Sequence, residues 1–488
     1  MRETHTGIIV LVGDRAFKAK KPVLTDFLDF RTCEQRERAC RREVELNSRL
    51  SPQSYLGVAH LTDPAGGPAE PLVVMLRYRD EDRLAAIVNR GPDESVRDVL
   101  ADIAGVLARF HENAQRSPVI DAQGKKAAIE QRWRANMAEL HRYVQRCRLD
   151  VSADSLARIQ YLAAEFIAGR ERLFTQRVEQ GCIVDGHGDL LADDIFCPDA
   201  GPALLDCLEF DDELRYVDVI DDAAFLAMDL EFLGRKDLGD YFLQRYALQS
   251  ADAAPMSLQD FYLAYRAVVR AKVDCVRITQ GRSAARKEAV QHLAIAEQHL
   301  CSGVVRLALV GGNPGTGKST LAHGLAENVG AQVISTDDVR RELRAADVII
   351  GESGVLDSGL YSPGNVETVY QLVLDRARAL LGSGRSVILD GTWRHRHLRA
   401  QAHRIAAETH SAIVEFVCVA AADLAVDRIV TRGPGNSEAT PEIATAMAAH
   451  ENSWETAYRV DTSKIREHSV RDLVSAWYRT VLVSQTRC

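Results

Sequence analysis

Apolar and polar residues alternate with a period of two over residues 8–21, IIVLVGDRAFKAKK, and the alternation breaks at Gly13-Asp14. Two short strands joined by a tight hairpin are expected, because glycine and aspartate tolerate the positive φ that such turns need. From Thr32 to Leu50 the apolar spacing becomes helical, and PLVVMLRY at 71–78 is a β-rich run suited to a central strand. The chain should therefore begin with a small sheet and one helix. From about Glu94 to Arg177 the pattern is almost wholly helical, punctuated at RSPVIDAQG by Pro118 and Gly124. Two β-like runs, GCIVDGHGDL and PALLDCLEF, come next, and further helices follow to about Leu300.

Near CSGVVRLALVGG the period changes from helical to extended. VRLALVG, AQVIST, RSVILD and AIVEFVCVA then alternate with helical segments, the signature of a parallel α/β sheet. A chain of 488 residues is too long for one core. With Ser302-Gly303 as the hinge, it divides into domains at 1–301 and 302–488.

Composition excludes several classes. The hydrophobic and charged fractions, 46% and 26%, are those of a folded globular protein rather than a disordered or fibrous one. A net charge of -9 argues against broad nucleic-acid binding, although WRHRHLR at 393–399 keeps a polynucleotide acceptor in third place. The ten cysteines form no CxxC pair and read as reduced, inert thiols. No run approaches the roughly 20 apolar residues of a membrane span, and the first residues lack a cleavage pattern. A cytoplasmic protein with no membrane partner is expected; the oligomeric state is not legible.

Two stretches carry phosphate chemistry. Gly312-Asn313-Pro314-Gly315-Thr316-Gly317-Lys318-Ser319, followed by Thr320, matches G-x-x-x-x-G-K-[ST] between an expected strand and helix. Its backbone N–H groups would cradle phosphate oxygens, Lys318 would reach the β and γ phosphates, and Ser319 would ligate Mg²⁺. Asp390 closes SVILD and is placed on the same metal. Asp337 follows VIST at a second strand end and reads as a base facing the substrate, or as a cap of the next helix within Ser335-Thr336-Asp337-Asp338. Arg428 and Arg432 precede a Gly-Pro-Gly break, where they would close over the transferring group or form a solvated helix face.

In the first half, HGDLLADDIF orders His187, Asp189 and Asp194, and ALLDCLEF adds Asp206. A hydroxyl attacking a phosphoryl group must lose a proton, which Asp189 would accept; Asp194 and Asp206 would bring oxygens to Mg²⁺.

The second half resembles the small P-loop kinases, among them gluconate kinase, shikimate kinase, the polynucleotide 5′-kinase domain and the zeta-toxin-like kinases. GNPGTGKST, STDDVRREL, VILDGTW with Arg394, Arg396 and Arg399, and the arginine-bearing lid carry that resemblance. It implies that Asp337 orients or deprotonates the acceptor hydroxyl and that Arg340 grips the substrate, with Arg394 beside it. The first half resembles the aminoglycoside phosphotransferase and choline kinase branch of the protein-kinase-like fold, whose pattern is H-G-D-x-x-x-x-N and then an aspartate. Here Asp194 stands where asparagine is usual. That resemblance implies Lys18 on the α and β phosphates with Glu43 as its helix partner, and Lys20 is the alternative lysine. There is no room for a full glycine-rich loop before Lys18, and ETHTG, with Thr4 and Thr6, is its expected substitute.

The whole resembles a bacterial fusion of the two kinds. A bilobal α+β protein-kinase-like domain with a reduced first lobe would precede an α/β P-loop kinase domain. Both would take ATP or GTP with Mg²⁺ and phosphorylate a small-molecule hydroxyl acceptor; a regulatory chain with one silent domain is the alternative.

Overall fold

A computed structural model describes residues 2–3, 7–24, 29–62, 66–67, 69–352, 356–431, 440–448 and 454–483. The chain divides into two compact units, the first formed by Met1–Gln160, Phe174–Ala254 and Gln259–His299. The second takes Leu300–Cys488 together with two earlier excursions, Tyr161–Leu173 and Pro255–Leu258.

The first unit opens with strands β1 (Arg2–Glu3), β2 (Gly7–Val12) and β3 (Arg15–Lys20), helix α1 (Cys33–Asn47), and strands β4 (Tyr55–Leu61) and β5 (Glu70–Leu76). All pairings are antiparallel, in the order β1-β2-β3-β5-β4. The period of two in β3 turns Ala16, Lys18 and Lys20 inward while Arg15, Phe17 and Ala19 are less buried. A capping box starts α1: Thr32 Oγ1 accepts from Gln35 N–H, and the Gln35 side chain accepts from Thr32 N–H. The helix lays Cys40 against Ala16, Tyr55, Val73 and Met75, a small core that fixes its angle to the sheet.

A helical lobe follows: α2 (Leu84–Arg90), α3 (Asp93–Asn113), α4 (Pro118–Gln123), α5 (Lys126–Cys147), α6 (Ala153–Gly169) and α7 (Glu171–Glu179). Short strands β6 (Ile183–Asp185), β7 (Ile195–Phe196), β8 (Ala203–Leu204) and β9 (Tyr216–Asp218) frame two loops, with β6 paired to β9 and β7 to β8. Helices α8 (Val219–Phe232), α9 (Lys236–Ser250), α10 (Met256–Thr279) and α11 (Ala285–Ser302) complete the helical part. Arg177 ties α7 to the end of β9 through paired bonds of 2.8 and 2.6 Å to Asp218. This sheet followed by helices is the α+β arrangement expected from the sequence for the first half, with a first strand of only two residues.

In the second unit β10 (Arg306–Gly311), α12 (Lys318–Val329), β11 (Gln332–Ser335), α13 (Thr336–Ala345), α14 (Pro363–Gly382), β12 (Val387–Asp390), α15 (Arg396–Glu408) and β13 (Ala412–Val419) alternate regularly. Helices α16 (Ala422–Thr431) and α17 (Pro441–Ala448), strand β14 (Tyr458–Asp461) and α18 (Arg466–Val483) close the unit. All strand pairs are parallel, in the order β11-β12-β10-β13-β14. Val310, Ile388, Phe416, Leu325, Leu473 and Trp477 form the core on one face. β10 is buried at every position, as a central parallel strand covered on both faces must be.

Candidate active sites

In the first unit, β3 and α1 bring Lys18 Nζ to within 2.9 Å of Glu43 Oε1. Lys20, on the same face of β3, lies 2.5 Å from Glu43 Oε2 and pairs with Glu209. Lys18 and Lys20 therefore share one fully buried carboxylate. Burial pushes the Glu43 carboxyl up, but the two ammonium groups outweigh it and hold it below its usual range.

Asp206 completes this set. Its Oδ1 accepts from Lys18 at 2.5 Å, and its N–H donates to the Tyr55 hydroxyl at 3.1 Å. The next residue, Cys207, donates its N–H to Asn47 Oδ1 of α1 at 2.8 Å. Asp206 has φ 63, a left-handed conformation uncommon for aspartate and held here by these neighbours. Burial would raise its pKa, but Lys18 overrides that and lowers it.

The HGD loop is held from below. Asp222 of α8 accepts from His187 N–H at 2.6 Å and from Gly188 N–H at 2.9 Å. His111 of α3 bonds the same carboxylate at 3.1 Å. Burial opposes ionisation of Asp222, yet the bond from His111 and the charges around it hold the pKa well below the usual value. Gly188 has φ +83, and a Cβ there would sit 3.2 Å from Arg215 and 3.3 Å from Leu208, so the turn requires glycine. His187 is itself fully buried and bonds Leu205 O through Nε2 at 3.1 Å, linking the HGD loop to the Asp206 segment. It is a structural residue here.

Asp189, next along, is raised to about 6, first by burial, with Arg270 opposing and Asp206 adding to the shift. That is a useful value for a base near neutral pH. Asp194 is raised well above the usual carboxylate range by burial and then by the charges of Asp206 and Asp189. The three carboxylates thus repel one another, with Lys18 the principal cation beside Asp206 and Asp194. Excess negative charge of this kind suits Mg²⁺. Among the described residues no cluster of three or more His, Cys, Asp or Glu is arranged to hold a metal unaided. Mg²⁺ commonly takes one or two carboxylates and completes its shell with water and phosphate oxygens. Thr4 and Thr6 lie outside the described residues.

In the second unit the loop between β10 and α12 turns through Gly312, Gly315 and Gly317, at φ +135, +78 and +82. A Cβ on Gly315 would lie 2.2 Å from Ala425 O, so the loop packs too closely for any side chain there. Asn313 O accepts from Thr316 Oγ1 at 2.7 Å and from Lys318 Nζ at 3.1 Å, which holds the lysine over the loop. Ser319 Oγ donates to Asp390 Oδ2 at 2.6 Å. Asp390 is 3% exposed, and its Oδ1 has no hydrogen-bond partner among the described residues. Burial raises its pKa although Lys318 opposes the shift. A buried carboxylate oxygen left unpaired beside the loop hydroxyl is the feature that fits a bound cation.

A cavity of about 750 Å³ opens over this loop. Its lining includes Pro314, Gly315, Gly317, Lys318, Ser319, Thr320, Asp337, Asp390 and Arg428, and also Thr462, Lys464 and Arg466. Asp337 lines this cavity, and the cap of α13 is not Asp337 but Ser335, whose Oγ accepts from Asp337 N–H at 3.3 Å. Arg340 is not in the lining; its Nη1 lies 2.5 Å from Asp337 Oδ1 and its guanidinium lies over the Tyr361 ring at 4.6 Å. Arg428 donates to Thr462 Oγ1 at 3.1 Å and to Thr462 O at 2.7 Å, which secures α16 to the end of β14. Arg394 is half-buried outside the lining, and Arg432 lies outside the described residues. Arg399 caps the backbone of Trp393 and Arg394 and stacks on Trp454 at 5.0 Å, so one member of the basic run is already used structurally.

Several site residues lack a local signal. Asp222 and His111 hold the HGD loop from helices 35 and 76 residues away in sequence (222 − 187; 187 − 111). Thr462, Lys464 and Arg466 follow β14, a four-residue edge strand too short to register by alternation. The strand-end position of Asp461-Thr462 was the one available hint.

Residues 307–453 match a family described as an AAA domain. Uncharacterized proteins of Mycobacterium tuberculosis strain H37Rv and of Mycobacterium bovis are 64% identical over 478 residues, covering 98% of this chain and 95% of theirs. Among solved structures, a gluconokinase from Sinorhizobium meliloti matches 38% of this chain and 97% of its own, at 14% identity and TM-score 0.29. A choline kinase from Cryptosporidium parvum matches 61% of this chain and 87% of its own, at 10% identity and TM-score 0.40. The GDP complex of an aminoglycoside 2′-phosphotransferase matches 61% and 91%, at 15% identity and TM-score 0.38.

Proposed function

We propose that this chain, which belongs to the same family as the mycobacterial proteins, is a bifunctional phosphotransferase, each unit moving the γ-phosphoryl group of ATP or GTP to a hydroxyl of a small molecule. One observation carries the reading: each unit independently sets a phosphate-reaching lysine beside a carboxylate of the expected metal site, with a carboxyl there whose pKa burial raises against that lysine. These are Lys18 with Asp206 and Asp194, and Lys318 with Asp390.

In the first unit Asp189 takes the acceptor proton, Lys18 holds the donor phosphates, Glu43 keeps that lysine in place, and Asp194 and Asp206 hold the metal. In the second, backbone N–H groups of residues 312–319 and Lys318 bind phosphate, Ser319 and Asp390 hold the metal, and Asp337 orients the acceptor. Arg340 restrains Asp337, and Arg428 and Arg432 neutralise charge on the transferring group. Mg²⁺ supplies neutralisation of the phosphate oxygens in both. No residue described above fixes the acceptor, and the acidic total leaves a polynucleotide in last place.

A second reading has its own support: Lys18 is paired directly to Asp206. Such a lock favours a nucleotide-sensing first unit that governs the second. Transfer of label from γ-labelled ATP to sugars, hydroxy acids, aminoglycosides, nucleosides and oligonucleotides separates the two. Asp189→Asn and Lys318→Ala should each remove a different labelled product; a single product abolished by Lys318→Ala and untouched by Asp189→Asn would leave only the second reading.

A further inference from the structure

Beyond the end of β12 the chain turns through Gly391, Thr392, Trp393 and Arg394, directly after Asp390. Trp393 is fully buried and has φ 51, a left-handed conformation that a bulky residue adopts only at a cost. Two side chains hold it there. The Tyr370 hydroxyl of α14 accepts from Trp393 N–H at 3.1 Å, and Arg399 Nη1 of α15 donates to Trp393 O at 2.6 Å. The indole Nε1 donates back to Leu389 O at 3.1 Å, and the Tyr370 and Trp393 rings meet edge to face with centroids 4.9 Å apart. Strain of this kind persists only where the surroundings over-determine it, and it concentrates at functional sites.

The same turn ties together the parts of the phosphate site. Gly391 N–H donates to Val310 O of β10 at 3.2 Å, and Gly312 N–H, the first of the phosphate loop, donates to Thr392 O at 3.4 Å. Tyr370 also bonds Thr392 Oγ1, at 3.3 Å. A Cβ on Gly391 would lie 2.8 Å from Cγ2 of Thr336, the residue before Asp337, and 3.0 Å from the Tyr370 hydroxyl, so the turn has no room to slide. Tyr370 is 2% exposed and is not among the residues lining the cavity. It reaches the site only through Thr392 and Trp393.

We propose that Tyr370 is a positioning residue of the second unit: its hydroxyl holds the turn at 391–394, and through it the spacing between Asp390 and the start of the phosphate loop that Mg²⁺ and a phosphate require together. This rests on the nucleotide reading of that unit. Asp390 ends β12 with Ser319 Oγ on its Oδ2 at 2.6 Å and with Oδ1 unpartnered among the described residues, ready for a cation. Without the Tyr370 hydroxyl, Trp393 N–H loses its acceptor and the strained φ can relax. That relaxation displaces the strand end carrying Asp390 and the Thr392 O contact to Gly312. A metal held between Asp390 and phosphate oxygens feels the shift directly, because Mg²⁺ demands near-ideal geometry. Phosphate bound by backbone N–H groups and Lys318 feels it less, so the loss should depend on the metal.

The test uses the full chain and reads ADP binding by calorimetry, once with saturating Mg²⁺ and once in EDTA, without any turnover. The binding component that Lys318→Ala removes is that of the second unit. In Tyr370→Phe, which keeps the ring, this component should weaken about threefold to tenfold with Mg²⁺, the usual effect of losing one neutral hydrogen bond, and by less than about twofold in EDTA. Val373→Ala, a substitution at a fully buried position of the same helix, is the control: it should lower the melt and leave the Mg²⁺-dependent affinity in place. A lower melt in Tyr370→Phe then does not account for its loss of affinity. An equal loss with and without Mg²⁺, affinities equal to the parent's in both, or the same metal-specific loss in Val373→Ala would each overturn the proposal. A parent with no Lys318-dependent ADP binding at all would sink the nucleotide reading of the second unit, and the proposal with it.

Discussion

Lys318 is the residue whose loss should be felt most simply. It rests on Asn313 O over the phosphate loop and acts electrostatically on Asp390. Lys318→Ala should lower phosphoryl transfer by the second unit by about 10²-fold or more, since one preorganised charge contributes about 3 kcal/mol to such transition states. Circular dichroism should show the fold retained; unchanged turnover of the labelled product would remove this site from consideration. Asp189 makes a sharper case because it is raised to about 6. As a base it must be ionised, so kcat/KM for the first unit should climb as pH rises through about 6 and level off above it. Asp189→Asn should cost about 10² to 10⁴ in rate. Stability should move the other way. A carboxyl whose folded pKa exceeds its unfolded value of about 3.9 contributes fully below that value and loses the contribution as pH rises through about 6. Asp189→Asn should therefore melt higher, relative to its parent, at pH 8 than at pH 4, whereas a capping aspartate would melt lower on substitution.

At the scale of elements, the helical lobe is joined by a buried charge network. His299 of α11 bonds Asp260 of α10 at 2.6 Å and Glu231 of α8 at 2.7 Å. Burial lowers the imidazole pKa, but the two carboxylates outweigh it and raise it to about 9. Its stabilisation is complete below the unfolded value of about 6.5 and is lost as pH rises through about 9. His299→Gln should destabilise the first unit by about 1–3 kcal/mol at pH 6 and by much less at pH 10. Chemical denaturation at the two pH values measures this; an equal loss at both would show that packing rather than charge holds the three helices. The long helices and buried strands of the chain repeat strongly enough to be read directly, as with α1, β3 and β10. β4 is interrupted by Gly57 and leaves Leu56 and Leu61 exposed, and β14 has four residues with one buried. Edge strands of this sort carry little periodic signal because only one face, or neither, is buried.

For the molecule as a whole, the expected cut at 302 lies two residues beyond the point where the larger units part. A fragment beginning there would retain its parallel sheet but lose Tyr161–Leu173 and Pro255–Leu258, which belong to the same compact unit. Residues 302–488 alone should melt cooperatively, since Val310, Phe416, Leu473 and Trp477 form a core of their own. The midpoint should fall below that of the corresponding transition in the full chain. Calorimetry of the fragment and the parent decides this; an identical midpoint would mean that the two excursions add nothing to stability.

What was local in the chain was legible in it: the glycine spacing at 312–317, the lysine that follows, the order His187, Asp189, Asp194, Asp206, and the alternation that turns Lys18 and Lys20 to one face of β3. Each depends on backbone conformation or on a period of two, properties that neighbours in sequence determine. Tertiary structure decided which charges meet. It gave both lysines to Glu43, placed Asp222 and His111 under the HGD loop, left Asp390 Oδ1 unpaired among the described residues, and set Arg266 of α10 against Gly188 O, next to Asp189. Those outcomes turn on burial and on distances of a few ångströms between residues far apart in the chain, where a Coulomb interaction depends on the separation and the local dielectric, neither of which is written in sequence order.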